Sequence, residues 1–125
     1  MYLLGVRGDF SSAHFLKNYN GKCCNIHGHN WKVEAVFEGH TLDSKTYISE
    51  DFGILKKILK NICEELDHTN LNEIEYFKKT NPSAEKISEY IFSQLEKEVI
   101  KEKINAQVYE VKVWESDNTW VLFKP

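Results

Sequence analysis

The hydrophobic period of this chain changes twice, from two to about 3.6 and back, and this limits the folds open to it. Residues 2–15 are rich in β-branched and aromatic side chains at both ends and read as a strand or bent strand. In residues 29–38, Trp31, Val33, Ala35 and Phe37 alternate onto one face, the mark of a half-buried strand. The middle then switches. Phe52, Leu55, Ile58, Leu59, Ile62 and Leu66 recur at three and four, as do Ile87, Tyr90, Ile91 and Leu95. Ser49 is placed to cap the first helix, with Glu50 and Asp51 at the positive end of its dipole. Asn81-Pro82 opens the second, with proline at its first position. Residues 108–115 and 120–123 return to strand character around a turn at Ser116-Asp117-Asn118-Thr119.

The predicted order is therefore ββααββ. It describes an α+β domain with a four-stranded antiparallel sheet and both helices on one face. At 125 residues, without repeat, linker or low-complexity tract, one domain over residues 1–125 is expected. One helical layer on such a sheet leaves its edge strands free, which favours association into a homo-oligomer.

Composition removes several function classes. A net charge of −3 provides no general attraction to nucleic acid or an acidic membrane. No segment approaches the roughly 18 apolar residues of a membrane helix. The first ten residues lack a basic stretch followed by a long apolar run, so no signal peptide is expected. Three cysteines, two of them adjacent at Cys23 and Cys24, do not make a disulfide framework, and a reducing cytoplasm is the natural setting.

The chemistry concentrates around His27-Gly28-His29. Two histidines at i and i+2 on an extended segment point to the same side, and Gly28 lets the backbone approach closely or turn. His14 ends the preceding strand. If those strands pair, three imidazoles converge and leave a fourth position open, the usual arrangement of catalytic zinc. His40 follows a glycine in a loop and reads as an exposed polar residue.

Cys23, four residues before His27, could serve as a fourth ligand, a nucleophile or a general base, or simply be a buried small residue. Cys24 competes with it on spacing, while Cys63 falls in the apolar helical pattern and reads as core. Asp67-His68 follows the first helix: the carboxylate can orient the ring for proton transfer, or the pair can simply finish the helix. Glu115, at a strand end, can bind a planar guanidine-like edge through two hydrogen bonds, or be a solvated turn residue. Lys22 and Lys32 could meet phosphate, but a charged surface explains them equally well.

Five segments together carry a family resemblance. Ser12-Ala13-His14, Cys23-x3-His27-Gly28-His29, Leu66-Asp67-His68-Thr69-Asn70-Leu71-Asn72, Asn81-Pro82-Ser83-Ala84-Glu85 and Val113-Trp114-Glu115-Ser116-Asp117-Asn118 resemble the 6-pyruvoyltetrahydropterin synthase family across nearly the whole chain. The resemblance implies the tunnelling fold (T-fold), in which subunits join edge to edge, often as two stacked trimers, with active sites between subunits. It implies a Zn2+ ion held by His14, His27 and His29, catalysis by Cys23 with Asp67 and His68, and a pterin held by Glu115 and, near it, Ser83. Asp67 and His68 would then serve a neighbour's zinc and cysteine.

The implied substrate is a small reduced pterin, 7,8-dihydroneopterin triphosphate. The three-residue gap between Cys23 and His27 resembles the 6-carboxytetrahydropterin synthases of queuosine-type pathways, whose reaction releases triphosphate and acetaldehyde. Glu115-Ser116-Asp117-Asn118 looks more like the 6-pyruvoyl synthases of biopterin-type pathways, which eliminate triphosphate. Both are lyases. A third branch performs an aldol-type cleavage with glutamate in the cysteine's place, and Cys23 argues against it. From a different class, a catalytically inactive, zinc-stabilised binding protein would keep the histidines but have no use for Cys23 or Asp67-His68. A zinc hydrolase on another fold would need a general base beside the metal, and cysteine is an unusual choice.

Overall fold

The computed structural model describes all residues, Met1–Pro125. Two 13-residue strands, β1 (Tyr2–His14) and β2 (His27–Gly39), pair antiparallel along their full length. Helix α1 (Phe52–Leu66) follows, then a two-residue strand β3 (Thr69–Asn70) and helix α2 (Ala84–Lys101). Strands β4 (Gln107–Ser116) and β5 (Thr119–Phe123) form the closing hairpin. The sheet order is β3-β1-β2-β4-β5.

The alternation in β1 and β2 divides the sheet into two faces. Phe10, Trp31, Val33, Ala35, Phe37, Val111 and Val113 are buried beneath the helices. Helix α1 lies on β1 and contributes Leu55, Ile58, Leu59, Ile62, Cys63 and Leu66; α2 lies on β4 and β5 with Ile87, Ile91, Phe92 and Leu95. Each large side chain buried here stabilises the fold by about 1.5–3 kcal/mol. Truncating a fully buried one, as in Leu59→Ala, costs about 2–5 kcal/mol. The opposite face carries ion pairs instead, such as Arg7–Glu34 at 2.8 Å and Lys32–Asp117 at 3.0 Å. No helix is long and apolar enough to cross a membrane.

Four expectations need correction. The sheet has a fifth strand: β3 pairs parallel to the outer edge of β1, with Ser12 opposite Thr69 and Ala13 opposite Asn70. Two residues have no period, so no pattern announces it. The cap of α1 is Asp51, which accepts from Gly53 N at 2.7 Å, and not Ser49, whose hydroxyl is buried without a partner. Glu50 decides this by taking Asp51 N at 2.8 Å and Asn105 N at 2.7 Å, which sets Asp51 at the helix start. Helix α2 starts at Ala84 with Ser83 as its cap, so Pro82 lies outside it. Gly28 answers no local crowding, because a Cβ there would meet only Ser12 O, at 3.8 Å, and its φ is not positive.

Candidate metal centre and active site

Strand register brings the histidines together. His14 stands opposite His27, and Ser12 opposite His29, so all three imidazoles reach the helix-side face at one end of the sheet. Their ring centroids lie 4.5 Å (His14–His27), 5.1 Å (His14–His29) and 4.8 Å (His27–His29) apart. Buried Trp31 packs edge-on beneath His14 and His29 and forms the floor of the cluster.

Backbone carbonyls set two of the rings. His14 Nδ1 donates to Pro82 O at 2.7 Å, and His27 Nδ1 donates to Asn25 O at 2.7 Å. With the proton held at Nδ1, Nε2 presents its lone pair inward, as a metal-binding imidazole requires. His14 Nε2 and His29 Nε2 are buried and have no hydrogen-bond partner. Burial holds the pKa of both residues below that of ordinary histidine, keeping the rings neutral; for His29 it outweighs the opposing pull of Glu115. Imidazoles whose buried nitrogens lack a partner suit a bound cation.

Glu115 joins the cluster. It continues the inward face of Val111 and Val113, and its Oε1 lies 3.0 Å from His29 Nε2 and 4.0 Å from His14 Nε2. One donor atom from each of His14, His27, His29 and Glu115 falls within 4.8 Å of all the others. These four residues could hold a metal ion.

The other residues singled out in the sequence lie outside this cluster. Cys23 is half-buried in a short 3-10 turn, Lys22–Cys24, tied to the end of β1 by Leu16 N donating to Cys23 O at 2.7 Å. Cys24 is exposed. Cys63 is buried in the core, where burial pushes its thiol pKa up to about 12, as its place in the helical pattern predicts. His40 is exposed, 3.6 Å from Glu38. The Ser83 hydroxyl caps α2 by accepting from Lys86 N at 3.2 Å. Ser83 adjoins Pro82, so the same short loop starts the helix and orients His14.

Asp67 and His68 sit at the outer edge of β1. Asp67 Oδ1 accepts from Ser11 N at 2.7 Å, and Oδ2 accepts from His68 Nδ1 at 2.8 Å. The Ser11 N–H, followed by His68, holds the Asp67 carboxyl below the usual carboxylate range. His68 N donates to Ser11 O at 2.6 Å while its backbone adopts φ 55°, a left-handed conformation rare for a residue with a side chain. The imidazole is 84% exposed and makes no contact with the histidine cluster. The pair is formed and oriented as the sequence suggests, but it faces outward.

Two asparagines that also matter carry no obvious chemistry. Asn72 accepts from Phe15 N at 2.9 Å and donates to Phe15 O at 3.0 Å; Asn81 does the same to Lys17, at 2.7 and 2.8 Å. Each side-chain amide mimics a strand neighbour and clamps the segment between His14 and the Cys23 turn. Both fall within segments that carry the family resemblance, but nothing in their residue type announces this clamping role.

Comparison with known proteins identifies the family of the chain. The family model described as 6-pyruvoyl tetrahydropterin synthase matches residues 4–125. The 6-pyruvoyl tetrahydrobiopterin synthase of Dictyostelium discoideum is 32% identical over 140 aligned positions, covering 98% of this chain and 95% of that protein. The 6-carboxy-5,6,7,8-tetrahydropterin synthase of Haemophilus influenzae is 28% identical over 141 positions, with 96% of each chain covered. Among solved structures, Caenorhabditis elegans 6-pyruvoyl tetrahydropterin synthase superposes with a TM-score of 0.86 at 26% identity, over 99% of this chain and 95% of that one. With three imidazoles on a T-fold sheet and a match along nearly its whole length, this chain belongs to the 6-pyruvoyl tetrahydropterin synthase family.

Proposed function

We propose that the protein is a zinc-dependent lyase that converts 7,8-dihydroneopterin triphosphate and water to 6-carboxy-5,6,7,8-tetrahydropterin, releasing triphosphate and acetaldehyde. The observation that carries this reading is the convergence of three imidazoles, two with buried, unpartnered Nε2 atoms. Three nitrogen donors and a remaining position are the usual donor set of catalytic zinc. Bound there, zinc would act as a Lewis acid on the substrate side-chain hydroxyls and acidify adjacent C–H bonds.

The chain's own residues supply the rest. The Cys23 thiolate removes a proton from the substrate side chain. His68, oriented through Nδ1 by Asp67, returns or relays that proton. Glu115 takes the pterin's guanidine-like edge through paired hydrogen bonds, with Ser83 close by. The outward pair at β1 favours a site shared between subunits, with Asp67 and His68 serving a neighbouring chain. Unpaired β5, with Trp120 and Leu122 exposed, supports association by sheet edges into a homo-oligomer, read here as a hexamer of two trimers. The setting is a reducing cytoplasm, in which Cys23 is not oxidised to a disulfide.

The 6-pyruvoyl product is the second reading. It uses the same residues and is favoured by the segment Glu115-Ser116-Asp117-Asn118. An anaerobic assay of zinc-loaded protein with 7,8-dihydroneopterin triphosphate, read by mass spectrometry, decides between them. The 6-carboxy product with acetaldehyde is expected. A 6-pyruvoyl product transfers the protein to the second reading, and bound zinc without turnover would mean an inactive binding protein.

A further inference from the structure

Glu115 stands in the one place that the proposed chemistry needs free. As pterin anchor it should face the substrate, yet its Oε1 lies inside the histidine cluster, 3.0 Å from His29 Nε2. This close approach is not a hydrogen bond. His29 Nε2 remains without a partner at that distance, because the line to Oε1 misses the direction an N–H would take. His29 Nε2 and Glu115 Oε1 thus stand 3.0 Å apart with no hydrogen bond to compensate their closeness, and a cation bound to both atoms would supply that compensation. Ligand atoms about 2.0–2.1 Å from a tetrahedral ion sit about 3.3 Å from each other. The 3.0 and 4.0 Å separations from Oε1 to two imidazole nitrogens bracket that edge.

We propose that Glu115 is the fourth ligand of the resting metal site, and that substrate must draw this carboxylate off the ion to open it. The inference rests on the metal-site reading above and deepens it. The same carboxylate cannot hold the metal and the pterin's guanidine-like edge together. Recognition of the ring therefore frees the metal's fourth position for the side-chain hydroxyls at the moment they arrive. The geometry allows the movement: the Glu115 side chain is 32% exposed and ends a strand next to the Asp117-Asn118 turn. A compound with vicinal hydroxyls but no pterin edge would leave the site closed.

The test uses the full-length protein loaded with zinc or with cobalt(II), whose visible spectrum reports coordination. Glu115→Gln is expected to weaken zinc binding by about tenfold to a hundredfold in competition with a chromophoric chelator, and to alter the cobalt spectrum. Glu115→Asp, which keeps the charge but loses reach, should resemble it, and circular dichroism of both variants checks their folding. Neopterin should change the wild-type cobalt spectrum, while glycerol at the same concentration should not. Zinc affinity within twofold of wild type and an unchanged spectrum in both folded variants would overturn the proposal and leave the three-histidine site intact. An equal response to glycerol and neopterin would overturn the coupling. His29→Ala separates the two levels of argument: if it binds zinc as well as wild type, the metal-site reading itself falls.

Discussion

The histidine cluster and the Asp67-His68 pair lie at the same end of the sheet but are built in opposite ways. The cluster faces inward, and its rings are fixed within the chain: His14 by Pro82 O, His27 by Asn25 O, and both His14 and His29 from below by Trp31. The pair faces outward from the edge of β1, with its imidazole in solvent. The left-handed backbone at His68 costs about 1–2 kcal/mol. Two hydrogen bonds to Ser11 hold it in place, and the only hydrogen bond of its exposed side chain is to Asp67. Under the proposed function, this strained, pre-oriented group would meet a site brought to it by a neighbouring chain. Metal binding should accordingly be a property of the single chain, and catalysis a property of the assembly.

The largest expected effect tests the inward half of that contrast. His14→Ala or His27→Ala should abolish stoichiometric zinc and reduce turnover to background, measured by metal analysis after gel filtration and by product formation. Retention of one zinc per chain with full turnover would place the ion elsewhere. The next effect tests the outward half. Cys23→Ala and His68→Ala should each lower kcat by about a hundredfold to ten-thousandfold while zinc content stays at wild type. When these two inactive variants are unfolded together and reassembled, activity should return, because some sites would combine an intact thiol from one chain with an intact imidazole from another. A mixture that assembles but stays inactive would put both residues in one chain's site and end the distinction. A smaller effect concerns the adjacent thiols: Cys24→Ala should keep kcat within about twofold. If Cys24→Ala is inactive and Cys23→Ala is not, the reactive thiol is Cys24.

The inward site was largely legible in the sequence, and the outward one only in part, for physical reasons. His27 and His29 share a face by the two-residue period, and His14 joins them once the first two strands pair. Asp67-His68 is recognisable as a pair, but its direction depends on a left-handed residue and on hydrogen bonds to a strand 56 positions away. The carbonyls of Pro82 and Asn25 leave no trace in the sequence, since every residue carries one. Ser49 and Asp51 are both sound capping residues, and only the contact between Glu50 and Asn105 chooses between them. Glu115 was legible as a carboxylate at a strand end. Its approach to His29, 86 positions away in the chain, follows from the pairing of β2 with β4, where no local pattern operates.

The smallest expected effect concerns pH and the anchoring of the outward pair. The Asp67 carboxyl lies below the usual range because the Ser11 N–H, and then His68, favour its ionised form. An unfolded chain would bind that proton near pH 3.9, so between the folded value and about pH 4 the unfolded state carries more protons. The contribution of Asp67 to stability is therefore fully present above about pH 4 and fades as pH falls through the folded value. Asp67→Asn should be less stable than wild type at pH 7, and the gap in urea midpoint should close as pH drops below about 4. A gap that stays constant across that range would mean that shape alone, and not charge, holds the pair to Ser11. His68 would then be oriented by its backbone, and Asp67→Asn would leave the geometry of the outward site intact while removing only its negative charge.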